Sequence, residues 1–332
     1  MPKPKPSNNR PRPHILAGID EAGLGPMLGP LTLGLCAFRV PQEHEFVDAA
    51  ELWQVLDEAV APKPKRGEER LVVADSKVVF QRTGPGWQRL ESTALAFLRL
   101  AHPNAPAELW SYLTPGLAQP EAPWYERVSH PLPVRVESER IDDHVERLRN
   151  SLQGHGMELC QACLTVLSAK DLNISFESTN SKAQTVWIQT ANLLARVMDQ
   201  HGMEGVHVIV DRQGARKHYA PLLERDFPGH RVQRLQENNL RSDYWIEGPS
   251  GTMEVSFQVG AEDQSLPTAL ASCFAKYARE LSMEAFNVYF GDLQPGLKAT
   301  AGYVTDGRRW IADAEAMLEP LVLPKRGLVR ER

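Results

Sequence analysis

Residues Gly18-Ile19-Asp20-Glu21-Ala22-Gly23-Leu24-Gly25-Pro26 constrain this chain more than any other stretch. An apolar run, Ile15–Ile19, ends in two adjacent acids and then a glycine-rich turn. Adjacent carboxylates repel unless cations or hydrogen-bond donors lie between them. Glycines let backbone N–H groups approach an anion closely. Carboxylates suited to a metal, beside amides suited to a phosphate, point to phosphodiester chemistry. The same residues are also ordinary strand-end and turn chemistry, so the segment alone supports either reading.

Composition narrows the class. With 332 residues, 42% hydrophobic and 24% charged, the chain can bury a full core as one large domain or two. No apolar run approaches the ~20 residues of a membrane span. Met1–His14 is rich in Pro, Lys and Arg and has no apolar core, unlike a secretory signal. The expectation is a cytoplasmic protein away from membranes. A net charge of −5 gives no support to a strongly basic nucleic-acid binder. Basic residues do gather at the ends: Lys3, Lys5, Arg10 and Arg12, then Lys325, Arg326, Arg330 and Arg332. Such arms attract polyanions or simply keep a protein soluble. The 4 cysteines are too few for a disulfide scaffold. Cys160-x-x-Cys163 has no second pair to complete a zinc site, so small buried core residues are the better reading.

Along the chain, 1–13 reads as a disordered basic arm, 14–320 as one folded domain and 321–332 as a basic tail. Ile15–Ile19 and Leu31–Val40 predict a hairpin, so the sheet begins antiparallel. Helical spacing marks Glu45–Ala59, Trp87–Leu100, Ile141–Leu152, Thr179–Gln200, Tyr219–Phe227 and Leu266–Leu281. Pro267 sits in the first turn of the last of these. Strands are expected at Leu71–Ala74, Val134–Glu137, Glu158–Leu167, Val206–Val210 and Arg231–Leu235. A second hairpin is expected from Asp243–Ile246 and Met253–Val259. Residues 102–157 read as an insertion whose first part is proline-rich and loop-like, with a lid as one role. Early hairpins and later alternation predict an α/β fold: a mixed central sheet covered by helices, with a C-terminal helical region.

Asp20 and Glu21 end one strand, and Asp211 ends another; strand ends are where such folds concentrate function. Glu280 neighbours the core stripe of the Leu266–Leu281 helix through Tyr277 and Leu281. Four carboxylates without His or Cys make an oxygen-only site, which suits Mg²⁺ or Mn²⁺ rather than zinc. The plainer alternatives are a turn or cap for Asp211, and for Glu280 a solvated pair with Lys276. Lys77, in Asp75-Ser76-Lys77, is either a phosphate partner or an exposed turn lysine.

Five ordered stretches resemble the type 2 ribonuclease H family, both the bacterial enzyme and the eukaryotic catalytic subunit. Gly18–Pro26, continuing to Gly29-Pro30, is similar to the family's GIDEAGRGPxxGP. Ala74-Asp75-Ser76-Lys77 resembles its DSK motif. Val210-Asp211-Arg212-Gln213-Gly214 with Phe227-Pro228-Gly229 resembles its VDxxG and FPG segment. Ala271–Lys276 with Arg279-Glu280 resembles ASIxAKVxRD, and Gly302–Asp306 resembles its GYxT motif.

The resemblance implies an RNase H-like catalytic domain over 14–320. It implies that Asp20, Glu21, Asp211 and Glu280 hold Mg²⁺ or Mn²⁺ and are the catalytic acids. It further implies cleavage at ribonucleotides in RNA/DNA hybrid or in ribonucleotide-containing DNA, leaving a 5′-phosphate and a 3′-hydroxyl. Gly23, Leu24 and Gly25 map to the turn that meets the 2′-hydroxyl and phosphate, and Tyr303 to the ring that packs on the junction sugar. The family's turn carries Arg where this chain has Leu24, and usually Asp where it has Glu280. Two alternatives therefore stand beside the first reading. One is a nuclease for DNA or junctions without a ribonucleotide requirement. The other is a non-catalytic nucleic-acid-binding protein on a retired nuclease fold. Protein partners and oligomeric state are left open by the sequence, with a monomer as one option.

Overall fold

The computed structural model describes residues 13–41, 49–81, 84–128, 131–319 and 325–331. Seven strands form one mixed sheet in the order β5-β2-β1-β6-β9-β8-β7. They are β1 Ile15–Ala22, β2 Leu31–Arg39, β5 Glu158–Leu167, β6 Val206–Asp211, β7 Arg231–Glu237, β8 Arg241–Gly248 and β9 Gly251–Gln258. The centre, β1-β6-β9, is parallel, and every other pairing in this sheet is antiparallel. Two short parallel strands, β3 Val60–Ala61 and β4 Leu71–Val72, form a separate ladder.

Two helices sandwich the centre. On one face lies the long helix Leu266–Leu293, capped by Ser265, whose side chain accepts from the Thr268 N–H. It sits against the sheet because Gly18 and Gly34 lack side chains. A Cβ on Gly18 would lie 2.2 Å from the Pro267 carbonyl carbon, and one on Gly34 2.2 Å from the Ala271 oxygen. On the other face, Lys182–His201 buries Val186, Trp187, Leu193, Leu194 and Val197 against Ile15, Ala17 and Ile19. Each such large apolar side chain contributes roughly 1.5–3 kcal/mol when fully buried.

Most expected elements are present, and the differences have physical causes. β1 runs on to Ala22, so Asp20 and Glu21 lie inside the strand rather than beyond it. Because a strand alternates faces, the two acids diverge. Asp20 shares the long-helix face with Gly18, and Glu21 follows Ile19 onto the other. Val134–Glu137 is not a strand; the N–H groups of Val134, Arg135 and Val136 are taken by the Glu91 carboxylate. The expected Thr179–Gln200 helix starts at Lys182, after a left-handed break at Asn180. Before that break lies an unexpected helix, Ala169–Thr179, held by a capping box of Ser168 and Asp171.

Part of the expected Glu45–Ala59 helix lies outside the described residues, and the described part is helical only over Leu52–Val55. The proline-rich segment is anchored, with two 3₁₀ turns at Leu109–Tyr112 and Pro123–Val128. Trp124 packs in the core with Phe286, ring centroids 5.4 Å apart. Helix Ser138–Gly154 follows, and helix Val304–Asp313 opens the C-terminal region. All four cysteines are free. Most of the 1–13 arm lies outside the described residues. No described helix is long and apolar enough to cross a membrane.

Candidate active site

The parallel register brings two acids together. Ile19 pairs with Val210, so the next residues on β1 and β6 are Asp20 and Asp211, side by side. β9 pairs in parallel on the far side of β6, and its chain turns through Ala261–Asp263 into the long helix. That turn reaches back to Asp211, whose Oδ1 accepts from the Ala261 N–H at 3.2 Å. Glu262 follows, close enough for its carboxyl group to act on Asp211. Asp20, Glu21, Asp211 and Glu262 therefore crowd one end of the central sheet.

The crowding appears in their protonation. Burial, then Glu21, Asp211 and Glu262, push Asp20 well above the usual carboxylate range. Its side chain is 5% exposed and accepts the Glu21 N–H at 2.7 Å. Burial, then Asp211 and Glu262, raise Glu21 to about 8. Burial and Asp211 raise Glu262 to about 7. Asp211 is raised by burial, and its hydrogen bonds pull the other way. The positive charge opposing them is Lys77, which lowers Glu21, Asp211 and Glu262. Its amine is 3.5 Å from Asp75 and its side chain is largely exposed.

Glu280 is not brought into this group. It accepts from Lys276 Nζ at 2.6 Å, one helical turn back, and it is not among the largest influences on Asp20, Glu21 or Asp211. The long helix carries it instead to a cleft shared with Phe80, Trp87, Arg135, Arg279 and Tyr303. Glu280 thus stands apart from these acids, and Glu262 is the fourth carboxylate beside Asp20, Glu21 and Asp211. The signal was an acid in the short link between β9 and the long helix. It was missed because Met253–Val259 was read only as half of a hairpin.

The turn after the acids is built for close approach. Gly23 has φ +89° and Gly29 φ +78°. A Cβ on Gly23 would meet the Pro30 oxygen at 2.7 Å, and one on Gly29 the Met283 sulfur at 2.1 Å. Arg279 donates to Pro30 O at 2.7 Å and to Ala301 O at 3.0 Å. Gly302 O accepts from Met27 N and Leu28 N at 2.8 and 3.1 Å, which ties Tyr303 to the same turn. Tyr303 is 55% exposed and lines the cleft. Gly25 is exposed, whereas Leu24 is half-buried against the apolar cluster below. Its side chain lines a small cavity with Leu172 and Phe176.

Four carboxylates facing one lysine fit a hard divalent cation, since oxygen donors are what such ions take. Among the described residues, no three His, Cys, Asp or Glu side chains are arranged to hold an ion as they stand. The donor chemistry fits, and the acids stand as repelling neighbours.

No family model matches the sequence, and no curated protein matches it. Several solved structures are similar to it. One is the ribonuclease HII of a PCNA:RNase HII complex from Archaeoglobus fulgidus, with 15% identity and TM-score 0.43, covering 96% of this chain and 94% of that one. Another is the ribonuclease H2 from Pyrococcus horikoshii OT3, with 14% identity and TM-score 0.44, covering 95% and 92%. A third is Bst-RNase HIII in complex with Mn²⁺, with 12% identity and TM-score 0.39, covering 96% and 66%.

Proposed function

We propose that this chain is a divergent type 2 ribonuclease H, a divalent-metal-dependent endonuclease that cuts at ribonucleotides in RNA/DNA hybrid or in duplex DNA. The observation that carries the reading is the juxtaposition of Asp20 and Asp211 on neighbouring parallel strands, closed by Glu262 and continued by the glycine turn. Mg²⁺ or Mn²⁺ would be held by Asp20, Glu21, Asp211 and Glu262, with Glu262 in the place first given to Glu280. When bound, the ion supplies Lewis-acid polarisation of the phosphate and makes water more acidic.

The chain's own residues do the rest. The acids bring negative charge that only a cation or a proton relieves. Lys77, close enough to act on three of them, offsets charge on a phosphate oxygen. The N–H groups of Leu24 and Gly25 would donate to a ribose 2′-hydroxyl, the group that separates RNA from DNA at one nucleotide. Tyr303, tied to the turn through Gly302, presents its ring to the neighbouring sugar. Water attacks phosphorus and the 3′-oxygen leaves, giving a 5′-phosphate and a 3′-hydroxyl.

A second reading, nucleic-acid binding without cleavage, is favoured by the lack of a closed three-ligand arrangement among the described residues. One experiment separates the two. Duplexes holding one ribonucleotide, a ribonucleotide tract or none are incubated with Mg²⁺ or Mn²⁺. Cleavage confined to the first two supports the proposal. Equal cleavage of all three sinks the ribonucleotide requirement, and binding without cleavage supports the second reading.

A further inference from the structure

The last described residues, Val329–Glu331, lie against the turn that follows the acids. Val329 and Leu28 form an antiparallel bridge, and Arg330 N donates to Met27 O at 2.9 Å. Asn173 holds this tail from behind. Its Nδ2 donates to Val329 O at 2.8 Å, and its Oδ1 accepts from Glu331 N at 2.7 Å.

The Arg330 side chain is 6% exposed. Nε and Nη2 donate to Gly29 O at 2.8 and 2.6 Å, and Nη1 donates to Gly23 O. All of these acceptors are backbone carbonyls. Burial, with Arg279 nearby, lowers the Arg330 pKa to about 9. A guanidinium kept in so unfavourable a place must be held by what it bonds. What it bonds is the two glycines that bracket the turn.

The consequence lies on the other side of the peptide. In a trans peptide the carbonyl and the next N–H point in opposite directions. With Gly23 O drawn to Arg330, the Leu24 N–H points the opposite way, away from Arg330. Neither Leu24 N–H nor Gly25 N–H donates to another described residue. Leu24 supplies no charged group of its own, so the turn can recognise a strand only through its backbone.

We propose that Arg330 is a positioning residue: reaching in from the C-terminal tail, it fixes the 23–29 turn so that its free amides face a ribonucleotide. This rests on the reading that the turn meets the substrate.

The test compares the full chain with Arg330→Ala, Arg330→Lys and Asn173→Ala. Binding to fluorescent duplexes with one ribonucleotide or none is measured in EDTA, so that no cleavage enters. Arg330→Ala is expected to weaken the ribonucleotide duplex by roughly tenfold, the worth of one or two hydrogen bonds. The all-DNA duplex, which offers these amides no 2′-hydroxyl, should change by less than about twofold. Arg330→Lys should recover part of the loss, and Asn173→Ala should show a smaller loss of the same selectivity. In cleavage assays KM should rise more than kcat falls.

Equal weakening of both duplexes, or of neither, in a variant that melts cooperatively overturns the proposal. If Arg330→Ala does not fold, the Lys variant decides by the same ratio. A parent chain with no ribonucleotide preference overturns the functional reading and this proposal together. A parent with the preference, and variants that keep it, overturn this proposal alone.

Discussion

Two buried carboxylates in this molecule show opposite designs. Glu91, on helix Gly86–Ala101, is 0% exposed. It accepts from Val134 N, Arg135 N and Val136 N at 2.9, 2.6 and 3.1 Å, and from Tyr277 Oη at 3.0 Å. Every donor is fixed, and the carboxylate stitches the proline-rich segment to two helices. Asp20 is nearly as buried, but among the described residues its one hydrogen bond comes from the adjacent residue, and three other acids act on it. Burial is common to both; satisfaction is not. A carboxylate given four donors is structure, whereas one given three more carboxylates stores strain that a ligand can release.

The contrast can be broken most sharply at the acid end. Asp20→Asn and Asp211→Asn should each cut metal-dependent cleavage by at least roughly a hundredfold, since even outer-shell partners cost that much. Their thermal melts should not fall. A variant that cleaves like the parent removes its acid from the site, and a variant that melts far lower makes Asp20 resemble Glu91. At Glu91 the opposite pattern is expected. Glu91→Ala leaves three N–H groups and a hydroxyl buried without partners, and should cost about 3–5 kcal/mol in denaturant titration. Its affinity for Mn²⁺, where the fold survives, should be unchanged.

The pH dependence comes next in size. Glu262 is raised from 4.5 to about 7 and Glu21 from 4.5 to about 8, so the folded chain holds protons that the unfolded chain has released. The contribution of these two groups to metal-free stability should be full below about pH 4.5 and be lost as pH rises through 7 to 8. Glu262→Gln should therefore raise metal-free stability at pH 8, by up to about 3 kcal/mol. Saturating Mg²⁺ should favour the parent instead. Denaturant midpoints across pH, with and without Mg²⁺, check both signs. The smallest effect belongs to Glu280. Glu280→Gln loses the charge of a half-buried pair with Lys276, costs on the order of 1 kcal/mol, and should leave cleavage within about twofold. A collapse of activity there would restore Glu280 to the acid set at the expense of Glu262.

The acids on strands were legible because a strand writes its end into the sequence: an apolar run, then Asp20-Glu21, and another, then Asp211. The sheet's mixed character was legible from the same runs. Glu262 was not, because nothing local marks the acid of a three-residue link as the neighbour of a residue fifty positions earlier. Only the parallel pairing of β6 with β9 does that. Arg330 was invisible for the same reason. In a run of Lys and Arg near the chain end, composition spoke for a solvated arm, and only tertiary contacts distinguish the buried arginine from its neighbours. Val134–Glu137 misled because β-branched residues with free N–H groups read as a strand, whether a strand or a carboxylate takes those groups.

The bond from Arg330 to Gly23 joins residues 307 positions apart. Loop closure over that span costs more conformational entropy than the local pairing of β1 with β2, so the two halves of the site should be finished at different times. The first hairpin can set Asp20 and Glu21 on their strand early. The turn beside them stays unfixed until the far end of the chain arrives. A refolding chain should therefore pass through a stage at which the hairpin is protected from hydrogen exchange while the Met27 and Leu28 amides, which donate to Gly302 O in the folded chain, are not. Pulse-labelling during refolding would reveal it as a lag between the two segments, and simultaneous protection would show that the tail docks with the sheet in one step.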